Sequence, residues 1–172
     1  IVSFMLTIIA GLRSVSVGMD TENYSVMFSW AQQVSFAMLI AGSETEPGYK
    51  LFQGIISTIF GEFQILLIVV AIIYVGLVSR LIYKCSDNPL ISYILFIGLG
   101  LYTFSLSAIR QSIAMAILLI AFEYIKEKKI WKFLASVALA TTFHLSALIF
   151  LPNYFLAYFK FNKKTMLALA TM

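Results

Sequence analysis

The chain has 172 residues, of which 61% are hydrophobic and only 12% charged, with a formal net charge of +4. Soluble chains carry about 25% charged residues, so this composition excludes an ordinary soluble domain and points to lipid as the solvent. No basic stripe interleaves with polar helix faces, so no nucleic-acid partner is expected; a lone Cys85 and a lone His144 leave no disulfide framework and no metal site built from nitrogen and sulfur.

The chain opens in an apolar run, 1–10, without an initiator Met or a basic leader. That run is too short to span a bilayer and does not resemble a signal peptide. A further apolar run begins at Met166-Leu167-Ala168-Leu169-Ala170. Residues 1–172 therefore read as a single transmembrane domain, a fragment of a longer polytopic protein.

Residues 13–62 form the most polar region, with Arg13, Asp20, Glu22, Glu44, Glu46, Lys50 and Glu62. They are expected as an extracytoplasmic loop carrying amphipathic helices. Within it, 24–41 is apolar but interrupted by Ser29, Gln32, Gln33 and Ser35, which predicts a shallow segment rather than a crossing. Residues 42–48 contain Pro47 and two glycines and predict a turn. Leu51, Phe52, Ile55, Ile56, Ile59 and Phe60 then recur at helical spacing opposite Lys50, Gln53, Ser57 and Thr58, as in a helix lying in the interface plane.

Residues 63–83 have the ~20-residue length of a crossing helix, and a short turn at 84–89 follows. Two apolar helices, 89–106 and 108–125, flank the polar knot Ser105-Leu106-Ser107-Ala108-Ile109-Arg110-Gln111-Ser112. Arg110 thus sits at the tight turn of a membrane hairpin. An arginine deep in a bilayer costs at least roughly 2.5 kcal/mol, so it must reach headgroups or bind a ligand. Ala108, Ser112 and Ala116 form a stripe of small residues suited to close helix packing. After the loop Lys126-Glu127-Lys128-Lys129 come two shorter apolar runs, 130–143 and 147–159, hinged at His144-Leu145-Ser146, with Pro152 expected to kink the second. The expected fold is an all-α, polytopic transmembrane helix bundle with interfacial helices on the outer face.

Alternation of the crossings places Arg80, Lys84, Lys126, Lys128, Lys129, Lys132, Lys160, Lys163 and Lys164 on one side, nine of the twelve basic residues. By the positive-inside rule that side is cytoplasmic. Arg13, Asp20, Glu46, Arg110 and His144 then share the outer face, although their clustering did not enter the assignment.

These residues carry a resemblance. Gly11-Leu12-Arg13-Ser14, Gly18-Met19-Asp20-Thr21-Glu22-Asn23-Tyr24, Glu46-Pro47-Gly48-Tyr49, Ile109-Arg110-Gln111-Ser112-Ile113-Ala114 and Phe143-His144-Leu145-Ser146-Ala147-Leu148-Ile149 occur in this order. The ordered set resembles the EpsG family of bacterial exopolysaccharide-biosynthesis membrane proteins. The resemblance implies a polymerase-like role related to Wzy-type enzymes, joining polyprenyl-diphosphate-linked oligosaccharide repeat units at the outer face of the cytoplasmic membrane. It implies as partners that lipid-linked oligosaccharide, the bilayer and other exopolysaccharide-assembly membrane proteins, and no cofactor. A flippase of lipid-linked oligosaccharides and a non-catalytic scaffold of a synthase complex are the rival readings.

Under the polymerase reading, Arg110 is the expected catalytic cation, since a guanidinium binds phosphate oxygens through paired N–H donors. The bland alternative is an arginine that snorkels to headgroups. His144 and Asp20 are the candidate general bases; equally, His144 is a hydrogen-bonded turn residue, and Asp20 pairs with Arg13 or caps the helix near Tyr24. Arg13 is a second phosphate clamp or a helix-end anchor. Gln111 orients sugar or phosphate, or lines a helix interface. Glu46 and Tyr49 shape a sugar-binding lip, Tyr49 by stacking on a ring, or complete a turn. No metal ligands are assigned.

Overall fold

The structure, a computed structural model, describes residues 1–41 and 45–159. Positions 42–44 of the predicted turn, the basic residues Lys160, Lys163 and Lys164, and the apolar run from Met166 lie outside the described residues. Every regular element among the described residues is helical.

The fold is built on α5, Phe63–Cys85, whose 23 residues extend roughly 34 Å at 1.5 Å per residue. Among the described residues it is the helix suited by length and composition to cross a membrane unaided. The first helix, α1 (Val2–Gly11), lies along it. A Cβ on Gly11 would sit 3.2 Å from the Ile68 Cα, so the missing side chain lets the two backbones approach. Farther on, α8 (Ile109–Lys126) runs parallel to α5. Ile109 and Ile113 pack with Leu66 and Leu67 at one end, and Glu123 bridges Arg80 and Lys84 at 3.0 and 2.9 Å at the other. An antiparallel α9 (Ile130–Phe143) packs on α8 through the small side chains Ala114 and Ala140. Ser112 and Ala116 are fully buried, which matches the packing role expected of that stripe.

The expected single helix over 89–106 is two helices, α6 (Pro89–Gly98) and α7 (Leu101–Ser107), bent by 51°. Gly100 lies between them with φ +77°, a conformation that costs glycine nothing and other residues dearly. Only as a bent pair do α6 and α7 reach the length and hydropathy of a span. Although expected as a crossing, α8 is 18 residues long and carries Arg110, Glu123 and Lys126. The segment 147–159 is not one helix either. A 3-10 turn, Leu145–Phe150, leads into the short α10, Pro152–Leu156, and Pro152 starts the helix rather than kinking it.

The polar region folds as α2 (Thr21–Gln33), α3 (Phe36–Ala41) and α4 (Pro47–Phe60). In α4 the usual arrangement of a soluble helix is largely reversed. Lys50, Gln53 and Ser57 are buried beside Tyr49 and Ile56, whereas Leu51, Ile55, Ile59 and Phe60 are exposed. Most of the inward polar groups find partners nearby: Gln53 Nε2 donates to the Met27 carbonyl at 3.0 Å, and Ser57 Oγ to that of Gly54 at 3.0 Å, while Gln53 Oε1 is left without one. With Phe4, Ile8, Ile9, Leu90, Ile94 and Leu95 also on the surface, this inversion suits an apolar surrounding medium.

Candidate functional site

The site begins with how α4 starts. Pro47 stands in its first turn, where a missing N–H costs no hydrogen bond, and Glu46 precedes it in extended conformation. A Cβ on Gly48 would fall 2.2 Å from Thr142 Oγ1 and 2.8 Å from the Thr142 carbonyl oxygen. Without that Cβ, the first turn of α4 rests against the last turn of α9, and Glu46 is delivered to His144. The His144 backbone, at φ −158°, is extended and separates α9 from the 3-10 turn.

Glu46 is shared between two partners. Its Oε1 lies 3.2 Å from His144 Nδ1, and its Oε2 accepts from Arg110 Nη1 in an ion pair. Arg110, the second residue of α8, also directs Nε toward the Tyr24 hydroxyl at 3.4 Å and holds its guanidinium 6.0 Å from that ring centre. The three charged or titratable side chains are 20–29% exposed, neither sealed off nor freely solvated. Burial alone pushes the Glu46 carboxyl up. Backbone N–H groups of Glu46 and Leu145 and the Arg110 cation outweigh it, so the carboxyl is held below its ordinary range.

This arrangement has definite chemical consequences. An ionised Glu46 accepts from Nδ1–H of His144, which leaves Nε2 as a free proton acceptor. Guanidinium carries five N–H donors; among the described residues Arg110 commits only Nη1 and Nε, so Nη2 remains to bind an anion. One carboxylate therefore holds a guanidinium with a spare donor nitrogen and an imidazole on its two oxygens.

Other expected site residues fall elsewhere. Arg13 is buried, donating to the Ala10 carbonyl at 2.6 Å and the Leu106 carbonyl at 3.0 Å. It ties the end of α1 to the α7–α8 elbow and makes no contact with the Glu46 cluster. Asp20 neither pairs with Arg13, whose terminal nitrogens go to carbonyls and whose Nε is buried without a partner, nor caps α2 through its side chain. Its backbone is helical, at φ −104° and ψ 0°, where a capping residue must be extended. Asp20 is exposed and does not join His144. Tyr49 is fully enclosed, its ring 5.7 Å from Tyr24 and 6.5 Å from Phe52, so the expected stacking on a sugar gives way to a packing role. Gln111 lines a cavity of about 300 Å³ with Met115, Leu118, Ser146 and Asn153, between α8 and the 3-10 turn.

Sequence reasoning missed two contributors. Tyr24 supplies the ring and hydroxyl beside Arg110, and nothing in its spacing distinguishes it from other aromatics. Gly48 falls in the predicted turn, but its role depends on Thr142, ninety-four positions on, which no local pattern reveals. Among the described residues, no three of His, Cys, Asp and Glu converge as metal ligands.

A model of the EpsG family matches residues 1–172, the full length given. No curated protein and no solved structure matches the chain.

Proposed function

The chain belongs to the EpsG family, and from that premise we propose that it polymerises polyprenyl-diphosphate-linked oligosaccharide repeat units at the outer face of the bacterial cytoplasmic membrane. The observation that carries this reading is the Arg110–Glu46–His144 cluster. In the proposed reaction, a hydroxyl of one lipid-linked chain attacks the anomeric carbon of another. The bond from that carbon to the diphosphate oxygen breaks, and its electron pair leaves with the diphosphate. His144 Nε2 takes the hydroxyl proton; the Nη2 donors of Arg110 stabilise the charge gathering on the leaving group, where preorganised donors act most strongly.

Glu46 thereby acts as an orienting carboxylate rather than part of a sugar lip. Arg80, Lys84 and Lys126 lie at the far end of α5 and α8 from Arg110, a distribution that favours an outward-facing cluster under the positive-inside rule. In the proposed topology 1–172 forms one transmembrane unit, with α5 and the bent α6–α7 pair crossing and α4 at the outer interface.

Reconstitution with a lipid-linked repeat unit tests the proposal. Wild type is expected to yield a ladder of longer lipid-linked products, and Arg110→Ala to leave the single unit unconverted while still inserting. In cells, that variant is expected to accumulate single repeat units outside the membrane. Accumulation inside would assign the protein to transport instead.

A further inference from the structure

We propose that a second basin, between the 16–22 loop and α7, is a saccharide-binding subsite that holds the glycan of a substrate whose diphosphate lies at Arg110. The inference rests on the polymerase reading above. The basin has a volume of about 490 Å³, within the ~300–1,000 Å³ typical of small-molecule sites, and Ser16, Met19, Glu22, Thr103 and Ser107 line it.

Its chemistry is that of a hydroxyl-rich, uncharged ligand. Among the described residues, the Glu22 carboxylate makes no hydrogen bond or ion pair, so both its oxygens can accept from sugar hydroxyls. Ser107 Oγ accepts from the Met19 N–H at 3.1 Å, which leaves its own proton to donate. Thr103 Oγ1 donates to the Gly100 carbonyl at 3.0 Å, which leaves its lone pairs to accept. Met19, 91% exposed on the rim, offers an apolar surface to the C–H face of a ring. A diphosphate is disfavoured here by Glu22, and a lipid chain would strip water from that carboxylate without replacing it.

The basin is also held in shape. Gly18 lies at φ +98°, and a Cβ there would come within 2.4 Å of the Leu106 carbonyl oxygen. That same oxygen accepts from Arg13 at 3.0 Å, and it shares the Thr21 hydroxyl, at 3.1 Å, with the Val17 carbonyl at 2.8 Å. The loop is thus pinned to the elbow whose other side starts α8 and presents Arg110. A preformed subsite spends less of its binding energy on ordering. Neutral sugars and diphosphate are thereby assigned to separate surfaces joined by one rigid elbow.

The test uses the full protein in nanodiscs and, as probe, the lipid-free oligosaccharides released by partial hydrolysis of the producing cell's own exopolysaccharide, titrated by calorimetry. Wild type and Arg110→Ala are expected to bind them equally, whereas Glu22→Gln and Thr103→Val each weaken binding at least tenfold. If Glu22→Gln fails to fold, Glu22→Asp serves the same comparison. Inorganic diphosphate, titrated in parallel, is expected to lose binding in Arg110→Ala and to keep it in Glu22→Gln. Saccharide binding that is absent in wild type, or unchanged by the Glu22 and Thr103 substitutions, overturns the subsite. Retained diphosphate binding in that case leaves the Arg110 assignment standing; lost diphosphate binding with intact saccharide binding separates the two the other way.

Discussion

Gly48 and Thr142 stand so close that even a methyl group between them would meet the threonine backbone oxygen at 2.8 Å. This contact sets the Glu46–His144 distance, because each of the two residues lies two positions from one side of it. Replacing Gly48 with Ala pits two effects against each other. Helix propensity favours alanine by about 1 kcal/mol, but overpacking against unyielding atoms costs about 1–3 kcal/mol. The clash is with backbone and Cβ atoms rather than a flexible tip, so it wins. A displacement near 1 Å at a catalytic pair can cost ~10²-fold in rate, so Gly48→Ala is expected to lower product formation far more than it lowers membrane insertion. Equal ladders from variant and wild type, measured on equal amounts of inserted protein, would remove the contact from the argument.

Arg110→Lys separates charge from geometry. Lysine keeps the cation but offers a point charge without the planar fork, and it cannot engage Glu46 and an anion in the same way. Loss of one preorganised donor to a developing anion costs ~10²–10³ in kcat. Arg110→Ala is expected to lose at least that much and Arg110→Lys somewhat less, as read from initial rates of dimer formation. Lysine activity at the wild-type level would show that bulk positive charge suffices.

Much of this arrangement was legible beforehand, and its gaps have identifiable causes. Hydrophobic runs announced α5, α8 and α9, because continuous apolar stretches reflect the surrounding solvent rather than partners. The same signal overran Gly98 and Gly100, since a run of apolar residues says nothing about where the axis turns. In α4 the two faces were legible from periodicity, except that Ile56 lies on the buried face and Thr58 on the exposed one. Arg110, His144 and Glu46 stood out as rare polar residues near the expected outer boundary. That Glu46 joins the other two, and that Tyr49 is sealed, depends on contacts between distant segments. Arg13 and Asp20 shared the expected boundary but not the cluster, because the two terminal nitrogens of Arg13 are turned to carbonyls of α1 and α7.

Acidity should dissolve the cluster only late. Burial opposes ionisation of Glu46, but hydrogen bonds and Arg110 overcome it and depress its pKa below the ordinary value of 4.5. A depressed carboxylate contributes stability that is complete above the unfolded pKa and lost as pH falls through the lower folded one. The melting-temperature difference between wild type and Glu46→Gln in micelles is therefore expected to stay constant from pH 7 to the ordinary glutamate range, then shrink below it. A difference that fades between pH 7 and 6 would contradict a depressed carboxyl at this position.

Arg13 offers the clearest separation of a structural cation from a ligand-binding one. Its two terminal nitrogens each serve a carbonyl from a different helix, Ala10 in α1 and Leu106 in α7. Lysine, with a single terminal nitrogen, cannot reproduce that fork. Leaving a buried carbonyl unsatisfied costs about 1–3 kcal/mol, so both Arg13→Ala and Arg13→Lys are expected to lower the melting temperature. Inorganic diphosphate, titrated below the melting range, should bind either variant as it binds wild type, because Nη2 of Arg110 is untouched. A phosphate clamp at Arg13 demands the opposite pattern: weakened diphosphate binding in Arg13→Ala at an unchanged melting temperature. The carbonyl contacts favour the first outcome, since a guanidinium already held by two helices must break those bonds before it can reach an anion.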